Sequence, residues 1–183
     1  MNFVRFDAPN HPVLMTFQDA INGEAEIAKI PPCLLAAIVW RESGGQNILQ
    51  EGVPPGPECG VGLTQITAGV DWSNPSAPTF QGYPLLNCAD NLYVAAAFFL
   101  APLISQAARA QRDTPSAFET ACRGQIIYAV ACGYNAGWGK VRRAMAEGVD
   151  CDSFTSNNYA KDVLGKYALL VDESTAASKA GGS

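Results

Sequence analysis

The sequence has one histidine, His11, and no C-x-x-C pair among its six cysteines. Ser-His-Asp and Cys-His nucleophile systems therefore have no histidine in the body of the chain, and a zinc site lacks its ligand spacing. No metal and no cofactor is expected. There is no phosphate loop or dinucleotide fingerprint either, because "ECGVGLTQ" lacks the lysine and the spacing. Positive charge is scarce: 12 Lys and Arg face 17 Asp and Glu, and the net charge of −5 argues against a nucleic-acid partner. The apolar run "YVAAAFFLAPLIS" is too short to span a bilayer and contains Pro102, so no membrane span is expected. No basic segment leads into an apolar one at "MNFVRFDAPNHPVLMTF", so no signal peptide is expected. Internal repeats are absent.

The cysteines (Cys33, Cys59, Cys88, Cys122, Cys132 and Cys151) form an even set, which predicts at least one disulfide and an oxidising destination. Cys33 and Cys132 stand in apolar helical stretches, where a buried free thiol is the alternative. A chain without a leader that works outside the cytosol implies release by lysis, another export route, or a mature form.

A length of 183 residues fits one domain. The pattern predicts a mainly α domain over residues 13–172, an N-terminal extension over 1–12, and a disordered tail over 173–183, "ESTAASKAGGS". Helices are predicted near 14–22 and 31–43, from Asp90 with a kink or break at Pro102, from Thr114 to about Cys132, and near 139–147 and 157–171. Residues 44–87 hold 8 of the 17 glycines and 6 of the 12 prolines and read as a long irregular lobe, with room for a small β-hairpin.

The chemistry that remains is that of carboxylates, and residues 36–47, "AAIVWRESGGQN", place one unusually. Pro31 and Pro32 suit a helix start, and Gly44 or Gly45 suits its end. Glu42 then falls in the last turn, on the row of Leu34 and Ile38, aimed inward from the end where the helix dipole repels negative charge. Apolar surroundings and the helix terminus each disfavour the ionised form and raise the pKa. A carboxylic acid kept protonated near neutral pH is what glycosidic-bond cleavage requires of its general acid.

Three stretches follow one another: "RESGG" at 41–45, "GVGLTQIT" at 60–67 and "GYNAGWGKV" at 133–141. In this order they resemble the soluble lytic transglycosylase and goose-type lysozyme superfamily, glycoside hydrolase family 23-like. The resemblance implies a lysozyme-like α fold, here a monomer. It also implies cleavage of the β-1,4 bond between N-acetylmuramic acid and N-acetylglucosamine in peptidoglycan, and so an extracellular or periplasmic site of action on cell wall, as for an endolysin. By position, Glu42 resembles the catalytic acid and Ser43 the serine after it. Gln65 matches the cleft glutamine, and Tyr134 and Asn135 match the pair bordering the acid and the substrate acetamido group. A tyrosine hydroxyl can orient a protonated carboxyl, and an amide serves an N-acetyl group as donor and acceptor. Gly62 lets backbone lie close to substrate. Trp138 offers a face for sugar stacking, as do Trp40, Trp72 and Tyr83, although Trp40 suits the core.

The chain departs from the family pattern at Thr64, where Met is usual, at Gly133, where Ala is usual, and at "PPGPECGVG", which replaces a Ser-x-x-Gly-Ala approach. Glu51, Glu58 and Asp71 are the carboxylates left to hold a hydrolytic water, and Glu58 stands nearest the family's second-carboxylate region. A second carboxylate facing Glu42 across roughly 6.5–9.5 Å permits inverting hydrolysis. Without one, the substrate's own groups give a 1,6-anhydro product, and this transglycosylase outcome is the expectation. The alternatives are a chitinase of the same superfamily, and a non-catalytic glycan-binding or structural module of a phage particle or secretion apparatus.

Overall fold

Pro31 has extended backbone and Pro32 opens the central helix, α3 (Pro32–Ser43), which Gly44 ends in a left-handed conformation at φ 62°. These bounds match the prediction. In the computed structural model, which describes residues 11–156 and 158–180, every residue of α3 from Pro32 to Val39 is buried. A helix apolar all round must sit at the centre of a domain. Two flanking helices, α7 (Ile126–Ala136) and α9 (Tyr159–Ala180), complete this centre, with α9 packed on both α3 and α7. The chain is mainly α, as expected.

Around this core stand α1 (Pro12–Thr16), α2 (Gln18–Ala28), α4 (Cys88–Val94), α5 (Ala101–Asp113), α6 (Pro115–Cys122) and α8 (Trp138–Glu147). Residues 44–87 form the irregular lobe. Its only ladder is a hairpin of β1 (Thr79–Phe80) and β2 (Tyr83–Pro84), antiparallel with Phe80 opposite Tyr83. Phe80 pins the hairpin to the helices, its ring 5.3 Å from Phe98 and 5.6 Å from Phe99.

Several boundaries differ from the sequence prediction, each for a local reason. The expected helix near 14–22 is two, α1 and α2, which turn at Phe17. Asn87, not Asp90, caps α4, its side chain accepting from the Ala89 and Asp90 amides. Pro102 breaks nothing: a widened π turn over Ala95–Leu100 precedes it, and helix runs on from Cys88 to Asp113. Pro102 cannot donate to the Phe98 carbonyl, and the wider turn accommodates the missing bond and the ring. These 26 residues are, by length and composition, long and apolar enough to cross a membrane, which the shorter run does not suggest. Leu92, Val94, Ala95, Ala96 and Leu100 are buried inside this fold, which accounts for the apolar character.

The helix expected from Thr114 to Cys132 is broken at Arg123 and Gly124, both left-handed, into α6 and α7. Of the tail expected to be disordered over 173–183, residues 173–180 are helical as the end of α9, and 181–183 lie outside the described residues. Its small residues are good helix formers, and Ser174 is buried while Glu173 meets His11 at 3.1 Å. His11 and Pro12 are accordingly part of the fold, with the His11 ring edge-on to Trp40 at 4.4 Å. The rest of the expected extension, 1–10, lies outside the described residues. All six cysteines are free thiols, against the disulfide expected from the even count. Cys33 and Cys132 take the buried-thiol alternative, and Cys122, Cys151 and Cys132 hydrogen-bond in a chain within the core.

Candidate active site

Glu42 sits where the sequence puts it, in the last turn of α3, and it faces a polar cleft of about 420 Å³. Arg41, Gln50, Gln65, Thr67, Tyr134, Asn135, Ser156 and Tyr159 line the cleft with it. A second recess of about 310 Å³ shares Glu42, Gln50 and Gln65 and adds Ser43, Gln46, Ile48 and Glu51, so the two form one groove past the carboxyl. Burial pushes the Glu42 pKa from its ordinary 4.5 up to about 7, against the opposing effects of a hydrogen bond from Tyr159 and the charge of Arg41. Near neutral pH this carboxyl therefore exists in substantial part as the acid.

The hydroxyl that holds Glu42 is not the one expected. Tyr159, in the first turn of α9 and buried, donates to Glu42 Oε1. Tyr134 lines the same cleft, but its hydroxyl donates to the Thr64 carbonyl at 2.8 Å. Both phenols are driven well above the ordinary tyrosine range, first by burial and then by the nearby Glu42 charge, so both remain donors. No motif flags Tyr159; its one signal is an aromatic residue that follows the polar run "TSNN" at 155–158.

The turn at 60–66 is the second wall, and its construction explains several residues at once. Val61 and Ile66 exchange two backbone hydrogen bonds at 3.1 Å, closing a tight loop with Gly62 at φ 76° and Gln65 at φ 50°. Helix residues hold this loop from three sides. Ser43 Oγ on α3 donates to the Leu63 carbonyl at 2.7 Å, and Tyr134 on α7 holds Thr64. From α4, the buried Asn91 accepts from the Thr64 amide at 3.0 Å and hydroxyl at 2.7 Å, and donates to the carbonyls of Val61 at 2.9 Å and Leu85 at 3.1 Å. Thr64, in the place where a methionine is usual, thus completes a buried polar network. Asn91 escapes the sequence reading, although an amide inside an apolar helix is a signal in itself.

Gly62 is required by this packing: a Cβ there would lie 2.2 Å from Asn91 Nδ2 and 2.5 Å from the Leu85 carbonyl. Gly62→Ala is expected to destabilise the fold by about 2 kcal/mol or more, from left-handed strain and overpacking together. Urea unfolding would measure it; an unchanged midpoint would mean that the loop tolerates the methyl.

Two amides face the cleft with defined polarity. Gln65 Nε2 donates to the Gly62 carbonyl at 2.8 Å and that of Ile48 at 3.1 Å, which leaves Oε1 as a free acceptor. Asn135 Oδ1 accepts from the Ser156 amide at 3.2 Å and hydroxyl at 3.4 Å, which leaves Nδ2 as a free donor.

The structure does not bring every expected residue here. Glu58 is exposed and lines neither part of the groove; Glu51, on the recess wall, is the carboxylate that borders it. The isolated bridge pairing Leu49 with Val61 holds the segment that leads into Glu51, whereas Glu58 lies on the loop between the two bridge residues. Trp138 opens α8 on the far side of Gly137 and lines a separate groove of about 760 Å³ with Arg109, Thr114, Arg142 and Met145. Trp40, Trp72 and Tyr83 lie outside the cleft lining too. No protein-family model matches this chain, and no curated protein is significantly similar to it.

Proposed function

We propose that the protein is a peptidoglycan-cleaving glycosidase with a lysozyme-like fold, working as a lytic transglycosylase on the β-1,4 bond between N-acetylmuramic acid and N-acetylglucosamine. The observation that carries this reading is Glu42: a carboxyl half-buried in a polar cleft, bonded by Tyr159 and kept in substantial part protonated near neutral pH. The order of the three sequence stretches supports the same reading, because all three meet at this cleft.

The acid protonates the bridging oxygen, the bond to the muramyl C1 breaks, and positive charge develops on that sugar. Gln65 Oε1 and Asn135 Nδ2 offer the acceptor and donor that an N-acetyl group's N–H and carbonyl require. Among the described residues, Glu42 is the one carboxylate lining the larger part of the groove. Ring closure by the substrate's own 6-hydroxyl, with its proton returning to Glu42, then gives the 1,6-anhydro product.

Product mass tests this. Purified peptidoglycan should yield anhydro-muramyl fragments, lighter by one water than hydrolysis products, from the unaltered protein and from Glu51→Gln alike. Reducing ends that disappear on Glu51→Gln would make the enzyme a hydrolase with Glu51 as base. Cleavage of chitin oligomers alone would change the substrate, and no turnover of either would remove the enzymatic reading.

A further inference from the structure

Arg41 precedes the acid in the chain and lines the same cleft, yet its charge has no committed partner. Its nearest anion is Asp162, whose Oδ2 lies 3.4 Å from Nε, and Nε is buried without a hydrogen bond. Asp162 is already engaged: Lys166 Nζ takes its two oxygens at 2.6 and 2.7 Å. One carboxylate thus faces two cations, and the closer one is Lys166. The guanidinium carbon stands 5.3 Å from the centroid of the Tyr159 ring, a cation–π contact that holds the group in place while leaving its donors unspent. Glu42, with a pKa raised to about 7, carries only part of a charge near neutral pH and offsets it incompletely. Among the described residues, no other lysine or arginine lines the groove.

A fixed, under-partnered guanidinium beside a reaction centre is suited to bind a carboxylate through paired N–H donors. We infer that Arg41 recognises the free carboxylate on the lactyl substituent of muramyl sugars that carry no stem peptide, the peptide's attachment turning that group into an amide, and so makes the cleft prefer denuded, acidic cell-wall glycan to a neutral N-acetylglucosamine polymer. This rests on the proposed glycosidase reading and adds to it the residue that selects the polymer. It also gives an acidic chain of net charge −5 a local means of holding an anionic substrate.

The test is binding, measured by calorimetry in Glu42→Gln protein so that no turnover intervenes. The probes are a muramyl-containing tetrasaccharide with free lactyl carboxylates and the neutral chitin tetrasaccharide. Adding Arg41→Gln should weaken the acidic ligand about tenfold and abolish the salt dependence of its binding, while the neutral ligand changes by less than about twofold. Arg41→Lys, which keeps charge without the planar fork, should fall between. Retained binding of the neutral ligand also reports that the cleft is still folded. Equal weakening of the two ligands, no change in either, or no binding of the acidic ligand by the parent would overturn the inference. Anhydro-muramyl release by the unaltered enzyme alongside such a result would sink Arg41's role alone. A diverging pair of affinities with no turnover would instead keep the recognition and sink the catalytic reading.

Discussion

Glu42→Gln should remove glycan cleavage while leaving the protein folded. Loss of a general acid costs about 10²–10⁴ in rate, and among the described residues no other carboxyl lines this part of the cleft to replace it. The amide keeps the shape of the side chain, and its oxygen can still accept from Tyr159, which donates to Oε1 of Glu42 in the parent. Turnover of peptidoglycan and a circular dichroism spectrum are the two measurements; near-parental turnover would end the assignment of Glu42 as the acid.

The same substitution should raise stability at higher pH. Burial lifts the folded-state pKa of Glu42 from the ordinary 4.5 to about 7, so the native state binds more protons than the unfolded state between those values. The contribution of this group to stability is then fully present below pH 4.5, falls as pH rises to about 7, and stays lost above it. The pKa difference corresponds to about 3 kcal/mol, as an order of magnitude. A glutamine in this place does not ionise, so the variant should gain on its parent by up to that amount as the pH is raised. Parallel denaturant titrations at acidic and alkaline pH would reveal the widening gap, and a constant gap would mean that Glu42 is not buried as the fold has it. An active site that costs stability is the expected trade-off for a carboxyl kept protonated against its nature.

The residues legible in the sequence are those whose role depends on local chain geometry. Glu42 can be read because Pro32, Leu34, Ile38 and Gly44 fix both the helix and its register within one segment. Gln65, Tyr134 and Asn135 come through motif order, and each does line the cleft. What fails are assignments that depend on how distant segments meet. Counting along a loop selects Glu58, but the Leu49–Val61 pairing decides instead which carboxylate comes near the groove. Trp138 lies only three residues from Asn135, but Gly137 at φ 84° ends α7 between them and sends the indole to another surface. The motif sets Tyr134 beside Glu42, but the hydroxyl that bonds Glu42 belongs to Tyr159, more than a hundred residues away in the chain. Pro102 misleads for a related reason, since a π turn can absorb a proline that periodicity alone treats as a break.

Tyr159→Phe should therefore have the second largest effect, and in two separable directions. The phenol hydroxyl donates to Glu42 Oε1, which favours the ionised form and opposes the burial that raises the pKa. Removing it should move the Glu42 pKa further above 7, so the alkaline limb of the pH–rate profile shifts upward. The maximal rate should fall at the same time, because the carboxyl loses the contact that aims it at the glycosidic oxygen. A hydrogen bond to a charged group is worth about 1.5–3 kcal/mol, which sets the expected loss at roughly 10- to 100-fold. Phenylalanine keeps the ring beneath Arg41 and the packing of α9 on α3, so the loss should not come from unfolding. Tyr134→Phe removes a bond to the Thr64 carbonyl instead, and should lower the rate without moving the alkaline limb upward. The two full pH–rate profiles are the measurement. A Tyr159→Phe profile that keeps its alkaline limb in place, or shifts it down, would show that Tyr159 neither orients nor acidifies Glu42. The assignment would then pass to Tyr134, the tyrosine that the motif suggests.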